Sequence, residues 1–312
     1  MIPARFDYHR PQSKRQALEM LGQVLGDGRI LAGGHSLIPM MKLRIAAPAH
    51  LIDISRIGEL KGIAIRGSDI EIGAMTTQHE LIASDSLAEA CPIIREAAKL
   101  IADPQVRYCG TLGGNIGNGD PGNDMPGLMQ CLNATYVLES MKGVRVVPAR
   151  SFYAGAYSTA LKDGELLTKV RFTAPPKGHG YAYKKLKRKV GDYATAAAAV
   201  ILQMADGKVS QASIALTNVA DTPLYAKDAS DRIAGTSLQS ADIDAAVAAA
   251  EAIARPAADS RGSVEYRTKM AGVMVRRALM EAAGRSSATA GQSVSPDKKE
   301  HKAGGLFGWL KG

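Results

Sequence analysis

Two short segments carry the residue types that hold anions through the backbone: Ala32-Gly33-Gly34-His35-Ser36 and Thr111-Leu112-Gly113-Gly114-Asn115. A pyrophosphate bears negative charge on closely spaced oxygens. Backbone N–H groups reach such oxygens only where no Cβ intervenes, and successive N–H groups in a turn form an anion-binding nest. Each segment adds polar side chains at its ends, Ser36 in the first and Thr111 and Asn115 in the second. Taken singly, a Gly-Gly pair more often describes a plain loop. The usual nucleotide fingerprints are missing. Neither segment reads Gly-x-Gly-x-x-Gly, and there is no Walker Gly-Lys-Ser/Thr. Gly117-Asn118-Gly119 is followed by Asp120-Pro121-Gly122, which breaks the helix that a Rossmann turn must open.

Other chemistry finds little support. Cys91, Cys109 and Cys131 form no Cys-x-x-Cys pair, which argues against an iron–sulfur cluster or structural zinc held by this chain. They read as buried, reduced thiols of a cytoplasmic protein. The six histidines show no metal-ligand spacing. The net charge of +9 admits nucleic acid, a membrane surface or an acidic partner subunit. Aromatics at 5% weaken a single-strand stacking platform. Five of the six residues from Lys184 to Lys189 are basic, which by default describes a solvated strand edge. Asp124 reads as a helix N-cap and Tyr193 as a core aromatic when each is taken alone. No apolar run reaches the roughly 18 residues of a membrane span, and the start of the chain shows no secretory signal.

The elements that must position these residues fall into three regions. In 1–52, the apolar spacing of Ala17, Leu18, Leu21 and Leu25 predicts a helix over 13–25. A strand ending at Leu31 runs into the first Gly-Gly segment, and Leu51-Ile52-Asp53-Ile54 reads as another strand. In 53–177, Gly67-Ser68 predicts a hairpin between two isoleucine-bearing strands. Residues 93–101 read as a buried helix stopped before Asp103-Pro104, and 164–172 as a strand. In 178–285, strands are predicted over 181–186, 194–204 and 209–216, the last two joined at Asp206-Gly207. Helices follow over 241–254 and 264–281, the second burying Tyr266, Met270, Val273 and Met274 as core. From Ser286 a flexible basic tail is expected over 286–312, ending in Leu306-Phe307-Gly308-Trp309-Leu310, an apolar end that could dock on a membrane or a partner.

With these segments assembled, the sequence resembles the FAD-binding medium subunits of molybdenum hydroxylases, and within them the aerobic carbon monoxide dehydrogenase branch. The resemblance covers nearly all of 1–285. It is carried by both Gly-Gly segments, by Gly73-Ala74-Met75-Thr76-Thr77, by Ile101 through Arg107, by Asn118-Gly119-Asp120-Pro121-Gly122-Asn123-Asp124 and by Gly191-Asp192-Tyr193-Ala194. It implies an α+β fold: a two-part vanillyl-alcohol-oxidase (PCMH)-type FAD-binding domain followed by a C-terminal sheet with helices. It implies that Ala32, Gly33, Gly34, His35 and Ser36, with Thr111, Leu112, Gly113, Gly114 and Asn115, bind the pyrophosphate. By the same resemblance Asp124 meets the ribityl or ribose part, Leu167 and Lys185 make further cofactor contacts, and Tyr193 lies against the isoalloxazine ring. The implied function is electron transfer through FAD. A large molybdenum–copper subunit oxidises carbon monoxide with water, and a small subunit with two [2Fe-2S] clusters delivers the electrons, in a dimer of heterotrimers with quinone as acceptor. The chain itself supplies no catalytic residue and no metal site. An aldehyde- or N-heterocycle-oxidising assembly, and a cofactor-free basic nucleic-acid-binding protein, stand as the alternatives. The tail after about Arg285 has no counterpart in the family.

Overall fold

Ser13 ends the extended start of the chain by capping the first helix, its hydroxyl accepting from Gln16 N. The computed structural model describes residues 1–290, the last four as backbone only. The N-terminal lobe contains β1 (Asp7–His9), α1 (Lys14–Gln23), β2 (Gly28–Leu31), α2 (Leu37–Lys42) and β3 (His50–Asp53). Its three strands are parallel in the order β1-β3-β2. The predicted boundary after residue 52 therefore cuts β3 one residue short of its end. Ala17, Leu18 and Leu21 of α1 pack with Ile52 and Ile54, and also with Ile57, Leu60, Met75 and Leu166. One small core thus joins this lobe to the next.

The middle lobe begins with the hairpin β4 (Ile63–Arg66) and β5 (Asp69–Gly73), turning at Gly67 with φ +61° as its Gly-Ser loop requires. Helices α3 (Gln78–Ala83), α4 (Asp85–Ala90), α5 (Pro92–Leu100), α6 (Pro104–Cys109), α7 (Leu112–Gly117) and α8 (Asp124–Cys131) follow. Strands β6 (Thr135–Ser140), β7 (Gly143–Pro148), β8 (Tyr153–Gly155), β9 (Ser158–Thr159) and β10 (Leu166–Thr173) complete the lobe. Its antiparallel sheet runs β4-β5-β10-β6-β7.

The C-terminal lobe is the sheet β11 (Gly180–Leu186), β12 (Ala196–Ala205), β13 (Lys208–Thr217) and β14 (Leu224–Tyr225), covered by α9 (Lys227–Ile233), α10 (Ser240–Ile253) and α11 (Val264–Ala290). The β12–β13 hairpin turns at Asp206 and Gly207, both with positive φ, the backbone that an Asp-Gly pair favours. β12 is buried on both faces. Ala197 and Ala199 join the middle-lobe core, while Ala196, Ala198, Val200 and Leu202 face the helices of the third lobe. Small side chains let layers approach from both sides, so the alanine run is a strand despite its helix propensity.

Three expectations change. Cys91 and Cys131 are buried free thiols, but Cys109 is exposed because it closes the short surface helix α6. Tyr266 is 46% exposed, since α11 instead turns Ala271, Met274, Val275, Ala278, Leu279 and Ala282 inward. The same helix runs past the predicted tail boundary: Ser286 is buried in it, its Oγ donating to Gly178 O over 3.1 Å. The apolar end at 306–310 and the docking expected of it lie outside the described residues. Among the described residues, no helix is long and apolar enough to cross a membrane.

Candidate functional site

The three lobes meet around a cleft of about 1020 Å³. That volume stands at the upper end of the range of about 300–1,000 Å³ for small-molecule and cofactor sites. Every residue assigned to cofactor contact from the sequence lines it except Leu112, which is fully buried in the middle-lobe core and faces away.

The two Gly-Gly segments meet in the cleft but differ in kind. The first is an open turn between β2 and α2. Gly34 has φ +75°, and the Ser36 hydroxyl, at the N-cap position, makes no capping bond. Among the described residues, the N–H groups of Gly33, Gly34, His35, Ser36 and Leu37 find no acceptor within the chain. They form a nest of free donors, with His35 folded back so that its Nδ1 lies 2.7 Å from Gly33 O. Gly33 is needed for packing as well: a Cβ there would lie 2.2 Å from Cys109 O.

The second segment is the first turn of α7, and its amides are already used. Leu112 N donates to Thr76 O, Gly113 N to Ala74 O, Gly114 N to Thr111 Oγ1 and Asn115 N to Thr111 O. Gly113 is small because a Cβ would lie 2.5 Å from that of Ala74. Asn115 Oδ1 accepts from Met125 N. The symmetrical pair of turns expected from the sequence is therefore one amide nest facing one capped helix start, the latter offering side chains.

At the foot of the cleft lies a buried ion pair. Asp124 is the first residue of α8, and Asn123, not Asp124, holds the N-cap position. Its Oδ2 takes Lys185 Nζ at 2.7 Å and its Oδ1 the Tyr183 hydroxyl at 2.7 Å. The Lys185 side chain is 1% exposed and the Asp124 side chain 5%. Burial, then the Asp124 charge, raises the Tyr183 phenol well above its ordinary range, so it stays a donor. Leu167 enters the wall at an irregularity of the β10–β6 pairing, which re-aims its side chain.

Tyr193 stands at the mouth. It is 41% exposed, not a core aromatic, and the Arg261 guanidinium lies 5.8 Å from its ring centroid. Tyr157 stands nearby with φ +58°, a strained backbone for a bulky residue, held by its N–H on Gly119 O. The pKa of each phenol is pushed up by burial and then by the Asp120 carboxylate. The basic run of 184–189 is partly neutralised inside the chain: Lys184 pairs with Glu281, Lys185 with Asp124 and Arg188 with Asp192.

Among the lining residues that the sequence reading did not assign to the site are Tyr157, Gln78 and Asn118. Both amide atoms of Gln78, and Nδ2 of Asn118, are buried with no hydrogen-bond partner among the described residues. Nothing in the sequence separates these amides from any others. Only the fold buries them. Among the described residues, no group of His, Cys, Asp and Glu could hold a metal ion.

Residues 4–175 match the family described as the FAD-binding domain in molybdopterin dehydrogenase, and residues 181–282 the CO dehydrogenase flavoprotein C-terminal domain. The chain belongs to the molybdopterin dehydrogenase FAD-binding family. It is 61% identical to the carbon monoxide dehydrogenase medium chain of Afipia carboxidovorans, over 92% of this chain and 99% of that one. It is 51% identical to the medium chain of Hydrogenophaga pseudoflava, over 89% and 97% respectively. A crystal structure of the Cu,Mo-CO dehydrogenase in its cyanide-inactivated form superposes with a TM-score of 0.90 at 61% identity, covering 91% of this chain and all of that one. The family's fold is the one observed: a PCMH-type FAD-binding domain in two lobes and a flavoprotein C-terminal domain. The cleft fits the family's cofactor. Free amides in a nest suit a pyrophosphate, and the volume suits an elongated dinucleotide.

Proposed function

We propose that this chain is the FAD-carrying, electron-transferring medium chain of an aerobic carbon monoxide dehydrogenase. The observation that carries the reading is the nest at 33–37, five amides with no partner among the described residues, opening into a cleft between three lobes of a chain whose relatives are carbon monoxide dehydrogenase medium chains. Bound FAD supplies the redox chemistry; the protein binds and orients it. The amides of Gly33 to Leu37, with the Ser36 hydroxyl, hold the pyrophosphate. Thr111 and Asn115 face it from the start of α7, and Gly113 and Gly114 allow the approach. Asp124, fixed by Lys185 and Tyr183, receives a hydroxyl of the sugar part. Leu167 packs on the cofactor, and Tyr193, steadied by Arg261, covers one side of the ring.

Carbon monoxide is oxidised with water at a molybdenum–copper centre in a large partner subunit, and two [2Fe-2S] clusters in a small subunit pass electrons to this chain. The three associate as a dimer of heterotrimers in the cytoplasm, at the inner membrane face, and hand electrons to quinone. The test is the visible spectrum of the native assembly. Stoichiometric flavin absorption, bleached by carbon monoxide and not by aldehydes or N-heterocycles, is the expected result. Absence of flavin overturns the reading, and bleaching by an aldehyde or N-heterocycle alone replaces the substrate.

A further inference from the structure

Gln78 is 1% exposed, and among the described residues neither its Nε2 nor its Oε1 has a hydrogen-bond partner. Exchanging the two atoms of the amide does not help, since both positions are empty of partners. Leaving a buried polar group unsatisfied costs about 1–3 kcal/mol, so a fold that buries both ends of one amide pays for something. An apolar residue of the same length would fill the space without that cost.

The position says what the amide serves. Gln78 is the first residue of α3, and its backbone N–H donates to Gly110 O over 2.9 Å. The preceding residue, Thr77, bridges to Thr111. Gly110 is the same residue whose Cα would lie 2.8 Å from a Cβ on Gly33. Gln78 therefore lines the cleft where the amide nest and the α7 segment converge. A dinucleotide bound there would present acceptors and donors at once. Phosphate oxygens only accept, and the hydroxyls of the sugar parts on either side can donate. A primary amide is the side chain that offers one donor group and one acceptor a short distance apart.

We propose that Gln78 is a cofactor-binding residue, its Nε2 donating to a phosphate oxygen of FAD and its Oε1 accepting from a neighbouring hydroxyl. This rests on the FAD reading above. A glutamate could not replace it, because its carboxylate would face the pyrophosphate charge.

The experiment uses the native assembly carrying full-length chain, stripped of FAD and titrated with FAD while flavin fluorescence is followed. Gln78→Met keeps length and volume but removes both polar atoms. It should weaken FAD binding about ten- to hundredfold. Without FAD the same variant should melt at the same temperature as the unmodified protein or higher, because an unsatisfied amide is gone. Gln78→Glu should bind FAD more weakly than Gln78→Met. Unchanged affinity in Gln78→Met overturns the assignment, and so does a lowered melting temperature of its FAD-free form, which would mark a structural residue. If the unmodified protein takes up no FAD, the FAD reading itself fails.

Discussion

Lys185 and Asp124 show how a buried charge pair is held at the floor of a binding cleft. Water reaches neither group to any useful degree, so Asp124 depends on Lys185 and Tyr183, and Lys185 on Asp124 and the Leu100 carbonyl. Removing one partner of such a pair leaves an uncompensated buried charge, at a cost of about 3–5 kcal/mol. Lys185→Met should lose that amount in denaturant unfolding. Adding Asp124→Asn to it should recover most of the loss, since the amide still accepts from Tyr183 and carries no charge. Equal stability of the single and double variants would show that the loss does not come from a stranded Asp124 charge. A second contrast tests the glycines. Gly33→Ala drives a Cβ into the backbone carbonyl of Cys109 and should lower both the melting temperature and FAD affinity. Gly22→Ala in α1 meets nothing within 4 Å and should instead stabilise the chain by about 0.5–1 kcal/mol. Asp124, Lys185 and Tyr193 were found through motif resemblance, because nothing in their own surroundings in sequence marks them. Gln78 had no motif role and Asn118 only marked the start of the Asn118–Asp124 segment, and the burial of both amides arises from contacts distant in sequence.

At the scale of elements, what could be read from sequence was what local chemistry decides. The hairpins at Asp206-Gly207 and Gly67-Ser68 each follow from two residues, and α1 and α5 from their apolar spacing. The helix opening at Thr111 was hidden because two glycines disfavour helix, and its first turn is held by bonds to Ala74 and Thr76 on another segment. The loop before β10 is another tertiary product. Arg145 on β7 grips Glu165 through two bonds, of 2.6 and 2.7 Å, and also donates to Ala160 O. The Arg145 bond and, against it, burial leave the Glu165 carboxyl below its ordinary value of 4.5. The Lys169 bond does the same for Glu71. A carboxyl whose pKa falls on folding stabilises the fold fully above its unfolded value and loses that contribution as pH falls through the folded value. Melting temperature should therefore hold steady above about pH 5 and decline below the ordinary carboxylate range. Glu165→Gln should lower the plateau and flatten the acid limb. An acid limb as steep as that of the unmodified protein would place the effect elsewhere.

On the scale of the whole molecule, the three lobes are unequally joined. The middle and C-terminal lobes share β12, whose alternate alanines belong to two cores. The N-terminal lobe is tied in by one face of α1 and by the approach of Gly33 to Cys109 and Gly110. A cofactor spanning the cleft adds its own binding free energy to that weaker joint, about 2.7 kcal/mol when free FAD stands at a hundred times its dissociation constant. Hydrogen exchange on the native assembly, with and without FAD, separates the contributions. Without FAD the amides of 33–37 have no acceptor among the described residues and should exchange fast. With FAD they should become protected, and 28–42 as a whole should slow. The amides of 112–115 are bonded within the protein in either state and should change little. The β12–β13 ladder, buried between two cores, should be slow throughout. Equal protection gained by both glycine segments would restore the symmetrical clamp expected from the sequence, whereas protection confined to 33–37 would show that one segment binds through its backbone and the other serves as its rigid wall.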